Sequence, residues 1–187
     1  MKRRGGVRRL RGVLLAGLLL LAGCSGTTLH VESNRSGRWN GRADRLLVLL
    51  GREMDVGLDA DAFGAALQRS LARCGVVAEV LVPPPDADIA LDGDPTERRA
   101  RERERALRPD ALLAMRQASM SARSGSVTVA YDLRLLRVPD HEPVWRALAT
   151  LRPSGEPRWS AAEFARLLVA DLARDGVIRP CPTPAAT

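Results

Sequence analysis

Two segments of this chain predict amphipathic helices with nearly the same pattern of apolar residues. The matching residues are Phe63, Leu67 and Leu71 in the first segment and Phe164, Leu168 and Leu172 in the second. A spacing of four places each trio on one stripe of a helix, and that stripe must be buried. Gly75 and Gly176 follow the two segments, as is typical of helix ends. The fold must therefore offer an apolar surface to both helices.

The starts of both helices also carry signals. Asp59 or Asp61 can cap the first helix, and Ser160 with Glu163 forms a capping-box pattern for the second. The similarity of the two segments has two explanations. Either they descend from a duplicated strand–helix unit, or two helices obey the same packing and capping rules.

Short apolar runs between and around these helices predict strands. Residues 45–51, 76–82 and 110–116 are short enough for buried strands, and residues 126–138 alternate apolar and polar side chains before residues 144–152 return. We expect an α/β (α+β) fold, with a mixed sheet of about five strands and the two amphipathic helices packed on one face. This single domain is expected to span residues 44–179.

The first 23 residues have the features of a secretory signal. Six of the first eleven residues are Lys or Arg, and a mostly apolar run from Val13 to Gly23 follows. The run is too short for a permanent membrane-spanning helix, which needs about 20 residues. Export of the remaining chain is the expectation.

The end of this leader, Leu21, Ala22, Gly23 and Cys24, resembles the lipobox of bacterial lipoproteins. That resemblance implies cleavage between Gly23 and Cys24 and acylation of the Cys24 thiol. It implies a protein anchored by its N-terminal lipid, and Ser25 favours the outer membrane, facing the periplasm. Residues 24–43, polar and rich in Gly, Ser and Asn, are expected to form a flexible tether, and residues 180–187 a disordered tail.

Charge argues against nucleic acid as a partner. The whole chain has 29 Lys and Arg against 22 Asp and Glu, but six of the basic residues lie in the leader. The mature balance is therefore 23 − 22 = +1. Because the mature chain has almost no overall excess of positive charge, its net charge indicates no nucleic-acid partner.

The order of elements, with the hairpin "YDLRLL…PVWRA" before the last helix, resembles several small envelope lipoprotein families. They are the TolB amino-terminal-like domain, the auxiliary lipoproteins of ABC transporters and the activators of penicillin-binding proteins. The resemblance implies an adaptor or structural role through contact with another envelope protein. A binding module for a lipid or small hydrophobic ligand is the alternative, and an envelope-polymer hydrolase is a third candidate.

Cys74 and Cys181 remain after Cys24 is assigned to the lipid. In an oxidising compartment two cysteines can form a disulfide. Alternatively, Cys74 is a small core residue on the helix stripe and Cys181 a free thiol in the tail.

The segment 96–108 is rich in arginine and predicts a solvated helix. A functional interpretation is a face for an anionic partner, formed by Arg98, Arg99, Arg101 and Arg105. The four aspartates of "DADIALDGD" (86–94) lack the spacing of a calcium loop and are interpreted as turn residues.

The two histidines, His30 and His141, do not suggest a metal pair. No catalytic motif is present, so we expect a non-enzymatic protein without cofactor or metal.

Overall fold

The computed structural model describes residues 28–37, 39, 41–51, 54, 58–82, 95–123, 126–138, 140–152 and 157–182. The strands are β1 (Thr28–Arg35), β2 (Arg45–Leu50), β3 (Val77–Leu81), β4 (Ala111–Arg123), β5 (Ser126–Arg137) and β6 (Pro143–Arg152). The helices are α1 (Ala60–Arg73), α2 (Pro95–Leu107) and α3 (Pro157–Arg174). All six strands form one sheet, and the predicted mixed α/β class is confirmed.

The strand order is β1-β6-β5-β4-β2-β3. β2 runs parallel to β3 and to β4, because a helix returns the chain to the same end of the sheet before each of these strands. The other three pairings are antiparallel, and two of them, β4–β5 and β5–β6, join strands that follow each other directly in sequence. Half of the sheet is therefore a long meander.

Both predicted amphipathic helices pack on the same face of the sheet. Phe63 of α1 and Phe164 of α3, at matching positions in the two helices, contact each other with ring centroids 4.9 Å apart. Tyr131 of β5 lies 5.3 Å from Phe164, and all three rings are fully buried. The shared stripe in the sequence thus corresponds to one continuous core.

The helix ends match the sequence signals in all but one place. Asp59 caps α1, its Oδ1 accepting from the Ala62 N–H at 2.8 Å, and Gly75 and Gly176 have φ of 74° and 68°. The capping box at Ser160 and Glu163 is wrong because α3 begins at Pro157. Glu163 lies inside the helix and accepts two hydrogen bonds from Arg166.

A third helix, α2, lies on the opposite face, over β2 and β3. Leu47 of β2 and Leu112 of β4 are cross-strand partners on that face, and both are buried outside the main core. Arg103 of α2 contacts Glu79 of β3 at 3.1 Å, and Glu79 is the register partner of Leu47. Among the described residues, the sheet is therefore covered by helices on one face and only partly on the other.

The predicted flexible tether over residues 24–43 is wrong for most of its length. Residues 28–35 form β1, an edge strand whose Leu29 and Val31 pack against the core beside β6. Trp39 and Ala43 are buried, and the Ala43 N–H donates to the Val177 carbonyl at 2.8 Å. Because most residues around Leu29 and Val31 are polar, the sequence pattern did not indicate a strand here. The sheet therefore has a sixth strand in addition to the five expected.

Cys74 and Cys181 are joined in a disulfide, which is the first of the two alternatives that the sequence left open. The bond fixes the end of α1 to the segment that follows α3. Residues 180–182 therefore belong to the folded domain rather than to a disordered tail, while residues 183–187 lie outside the described residues.

No helix among the described residues combines the length and the apolar character that a membrane crossing requires.

Candidate functional site

The residues singled out in the sequence do not converge on one site. Cys24 and the rest of the lipobox lie outside the described residues, as do Asp86, Asp88, Asp92 and Asp94. Arg98, Arg99, Arg101 and Arg105 are exposed on α2. His30 lies on β1, and His141, in the β5–β6 turn, is 3.3 Å from Glu104.

The uncovered part of the second sheet face carries a different cluster, centred on Asp132 of β5. Three arginines direct their Nε atoms to this carboxylate: Arg116 at 3.1 Å, Arg134 at 3.0 Å and Arg146 at 2.9 Å. Arg116 and Arg134 contact Oδ2, whereas Arg146 contacts Oδ1. One carboxylate thus holds guanidinium groups from three neighbouring strands, an arrangement we call the arginine cluster.

Strand register explains this geometry. Arg116 of β4 is the direct cross-strand partner of Asp132, and Arg134 follows two residues later on the same strand. Arg146 of β6 is the partner of Arg134, which places it diagonally across from Asp132. Because side chains alternate between the faces of a strand, all four residues lie on the face opposite α1 and α3.

The carboxylate and the guanidinium groups differ sharply in exposure. The Asp132 side chain is only 6% exposed, while Arg116, Arg134 and Arg146 remain 60%, 43% and 65% exposed. Burial alone would raise the pKa of Asp132, but the hydrogen bonds from Arg146, Arg116 and Arg134 together lower it below its ordinary value. Asp132 is therefore ionised at neutral pH and acts as the anchor of the cluster.

A groove of about 730 Å³ crosses the strands beside this cluster. β1 contributes Glu32, Ser33 and Asn34 to its lining, and β6 contributes Arg146, Ala147 and Leu148. Asp132 of β5 and residues 116–118 of β4 complete it. Leu148 is the register partner of Asp132 and is 42% exposed, so an apolar side chain lies beside the arginines.

A β-bulge shapes one end of the groove. The pairing of β4 with β5 shifts between Gln117 and Ser119, which leaves Ala118 as the extra residue. The Gln117 Oε1 and the Tyr131 hydroxyl, from cross-strand partners at the bulge, are buried without a hydrogen-bond partner among the described residues. Burial raises the pKa of Tyr131 to about 12, so its hydroxyl stays protonated.

The arginines that line the groove supply positive charge and hydrogen-bond donors. Arginine guanidinium groups bind carboxylates and phosphates through parallel hydrogen bonds, and Asn34 supplies a neutral polar side chain. Within the part of the chain that the structure describes, no three His, Cys, Asp or Glu side chains are grouped to hold a metal ion. The groove is thus suited to bind an anionic group next to an apolar one.

The sequence contained a signal for this site that pattern reading missed. Asp132 and Arg134 occupy the polar phase of the alternating strand, and Arg116 and Arg146 occupy the same phase of the strands on either side. Aligning the three strands by phase would have placed the four charges on one face. Their exact contact needs the register, which one sequence does not supply.

No family model matches the sequence, and no curated protein matches it. Among solved structures, the fold is similar to that of PelC from Paraburkholderia phytofirmans, crystallised as a dodecamer. In one PelC structure, of a variant, the identity is 18% and the TM-score 0.50, with 81% of this chain and all of that chain covered. In a second, the identity is 16% and the TM-score 0.50, with 82% of this chain and all of that chain covered.

A lipoprotein, GNA1162 from Neisseria meningitidis, is a more distant match at 15% identity and a TM-score of 0.36. The match covers 70% of this chain and 96% of that chain. At these identities the PelC likeness establishes a shared small α/β fold.

Proposed function

We propose that this chain is a lipid-anchored adaptor or structural lipoprotein of the cell envelope, acting through protein–protein contact. The observation that carries the proposal is the leader ending in Leu21, Ala22, Gly23 and Cys24. The anchor is Cys24, and the expected location is the outer membrane, with the folded domain in the periplasm. Two acyl chains are sufficient for stable anchoring, so acylated Cys24 would hold the domain at the membrane surface.

The disulfide supports the same location. Cys74 and Cys181 are 107 residues apart in sequence, and the structure joins them. Disulfides persist in exported proteins and are rare in the reducing cytosol. After Cys24 is assigned to the lipid, both remaining cysteines of the chain are accounted for.

A contact role, rather than storage of a small ligand, fits the packing of the domain. The space between the sheet and helices α1 and α3 is filled by Phe63, Phe164 and Tyr131, all fully buried. The alternative of a lipid bound between helices and sheet gains no support from this arrangement. The uncovered sheet face and its groove offer the surface for a partner.

The experiment that tests the anchor is metabolic labelling of the full chain with palmitate in a bacterial host. Cys24→Ala should abolish the label and leave the leader uncut. Cys181→Ala is the matched control, because it removes a cysteine elsewhere and should leave the label unchanged. Labelling of the Cys24→Ala protein at the wild-type level would refute the proposed anchor.

The adaptor role is tested separately by chemical crosslinking in intact cells that express the wild-type chain. We expect one or a few envelope proteins to be recovered, and fewer with the Cys24→Ala variant. Recovery of no envelope protein from labelled, correctly anchored wild-type chain would contradict the adaptor role while leaving the anchor intact.

Self-association is a second candidate, favoured by the likeness to PelC, which is a dodecamer. Among the described residues, the sheet has two edge strands, β1 and β3, each paired with a neighbouring strand on one side only. Such edges can pair with another chain. Light scattering of the purified protein in detergent distinguishes a monomer from an oligomer. A monomer at all concentrations would leave contact with a different protein as the function.

A further inference from the structure

The second face of the sheet is divided into a covered and an uncovered part. α2 lies over β2 and β3, with Arg103 paired to Glu79. The groove crosses the other four strands, β1, β6, β5 and β4. Three strand spacings of about 4.8 Å give it a width of about 14 Å, which matches about four residues of an extended peptide.

The arginine cluster is organised before any partner arrives. Each of its three guanidinium groups is fixed by a hydrogen bond of 2.9–3.1 Å to Asp132, although the side chains are largely exposed. Ordering a long side chain on binding has an entropic cost, and much of that cost is already met here. A guanidinium that contacts Asp132 through Nε also keeps Nη1, at the opposite edge of the planar group, for a second acceptor.

The arginine cluster and its surroundings carry a small positive charge. The groove lining holds Arg116 and Arg146 against Asp132 and Glu32, a balance of 2 − 2 = 0, and Arg134 of the cluster, paired with Asp132 beside the lining, brings it to +1. The exposed arginines of α2 lie on the same side of the sheet and add to this sign. An incoming carboxylate therefore meets favourable charge and donors with the correct planar geometry.

Leu148 makes the surface characteristic of a protein interface. Interface centres are more apolar than the rest of a protein surface and are enriched in arginine, whereas sites for a free anion need no apolar neighbour. Leu148 lies directly across from Asp132, between the arginines and Glu32 of β1. The apolar side chain and the guanidinium groups can therefore contact alternate side chains of one segment.

From these features we propose that the groove docks an acidic, partly apolar segment of a partner protein. One of its carboxylates pairs with Arg116 and Arg146, and an apolar side chain packs on Leu148. This inference rests on the proposed adaptor function and names the surface and the chemistry through which the adaptor acts.

The test uses the full chain in detergent and a fluorescein-labelled eight-residue peptide of alternating Asp and Leu. Fluorescence anisotropy at about 50 mM salt should show binding that weakens as salt rises. Arg146→Gln should weaken binding about tenfold, since it removes one charge-assisted contact. Arg166→Gln is the matched control, because Arg166 is exposed and paired to a carboxylate on the helical side. It should leave the affinity unchanged.

Leu148→Glu is a second variant that keeps the experiment informative if Arg146→Gln fails to fold. Leu148 is exposed enough to accept a carboxylate, and the added negative charge should abolish binding of the Asp–Leu peptide. Circular dichroism of each variant establishes that it is folded.

Three outcomes would overturn the inference. They are no binding of the Asp–Leu peptide, equal binding of a peptide with Asn in place of Asp, and equal losses for Arg146→Gln and Arg166→Gln. Tighter binding of an oligouronate than of the peptide would assign the groove to acidic saccharide instead. Loss of an oligomer in Arg146→Gln but not in Arg166→Gln, measured by light scattering, would assign it to a second copy. None of these results depends on Cys24, so failure here is distinguishable from failure of the lipid anchor.

Discussion

The two faces of the sheet differ in the kind of side chain that occupies their centre. On the face toward α1 and α3, the buried core is built from apolar side chains, among which the rings of Phe63, Phe164 and Tyr131 are in contact. On the other face, the centre of the sheet is occupied by Asp132 and three arginines in contact with solvent. The first arrangement supplies stability, whereas the second leaves charge and donors available.

This difference teaches where function can reside in a small domain. Burial of apolar area favours folding by about 25 cal/mol per Å², so substitutions on the helix face threaten the fold. Ion pairs with exposed partners contribute about 0–1 kcal/mol each, so the other face can change without loss of the domain. Substitutions on the two faces should therefore differ most in their effect on unfolding.

The largest effect is expected for Phe164→Ala, which removes the ring that contacts both Phe63 and Tyr131. A cavity of this size should lower the free energy of unfolding by about 3–5 kcal/mol, measured by urea denaturation. Leu148→Ala on the opposite face is the control, with an expected loss of at most about 1 kcal/mol. Similar losses for the two variants would remove the distinction between the faces.

A comparable but smaller loss is expected when the disulfide is absent. The double variant Cys74→Ala/Cys181→Ala removes a crosslink that closes a loop of about 107 residues. The free energy of unfolding should fall by about 2–5 kcal/mol, again measured in urea. A reducing agent should destabilise the wild type to a similar extent and leave the double variant unaffected. A wild type that does not respond to full reduction would contradict this prediction.

The smallest effect is expected for Asp132→Asn at neutral pH. The substitution leaves three arginines without their common anion, and we expect a loss of about 1–2 kcal/mol, the scale of a charge-assisted hydrogen bond. Asp61→Asn, on the exposed first turn of α1, should cost less than about 0.5 kcal/mol.

The same variant tests the pH dependence. The pKa of Asp132 is lowered in the folded state, so its stabilisation is complete above the unfolded pKa of about 3.9. It is lost as the pH falls from there through the lower folded value. Below pH 4 the wild type should therefore lose stability more steeply than Asp132→Asn. If the free energy of unfolding falls equally in the two proteins between pH 5 and pH 2, Asp132 is not the anchor of the cluster.

The helical half of the fold could be predicted from the sequence, because its signals are local. Phe63, Leu67 and Leu71 share a stripe by spacing alone, and a glycine after each helix marks its end. The prediction of a capping box at Ser160 was wrong because α3 begins about one turn earlier, at Pro157, and Glu163 accepts a hydrogen bond from Arg166 instead. A capping motif in the sequence therefore does not mark the helix start when the residues before it are also helical.

The strand β1 could not be predicted, because its evidence is non-local. Only Leu29 and Val31 show the apolar alternation, and the remainder is polar, as an edge strand with one solvent-facing side permits. Its pairing with β6 joins residues more than 100 positions apart. The same limit hid the arginine cluster, whose contacts depend on the register of β4, β5 and β6.

With Cys24 acylated as proposed, the position of β1 sets how far the domain can stand from a bilayer. Only Ser25, Gly26 and Thr27 separate Cys24 from Thr28, so four peptide steps of at most about 3.6 Å allow about 14 Å. Acylation of Cys24 would therefore hold the sheet end formed by Thr28 and Arg152 close to the lipid headgroups. Four to six residues along β1, at about 3.3 Å each, add about 13–20 Å before the groove begins. Such a short linker would restrict binding to partners that extend only a few nanometres from the same leaflet.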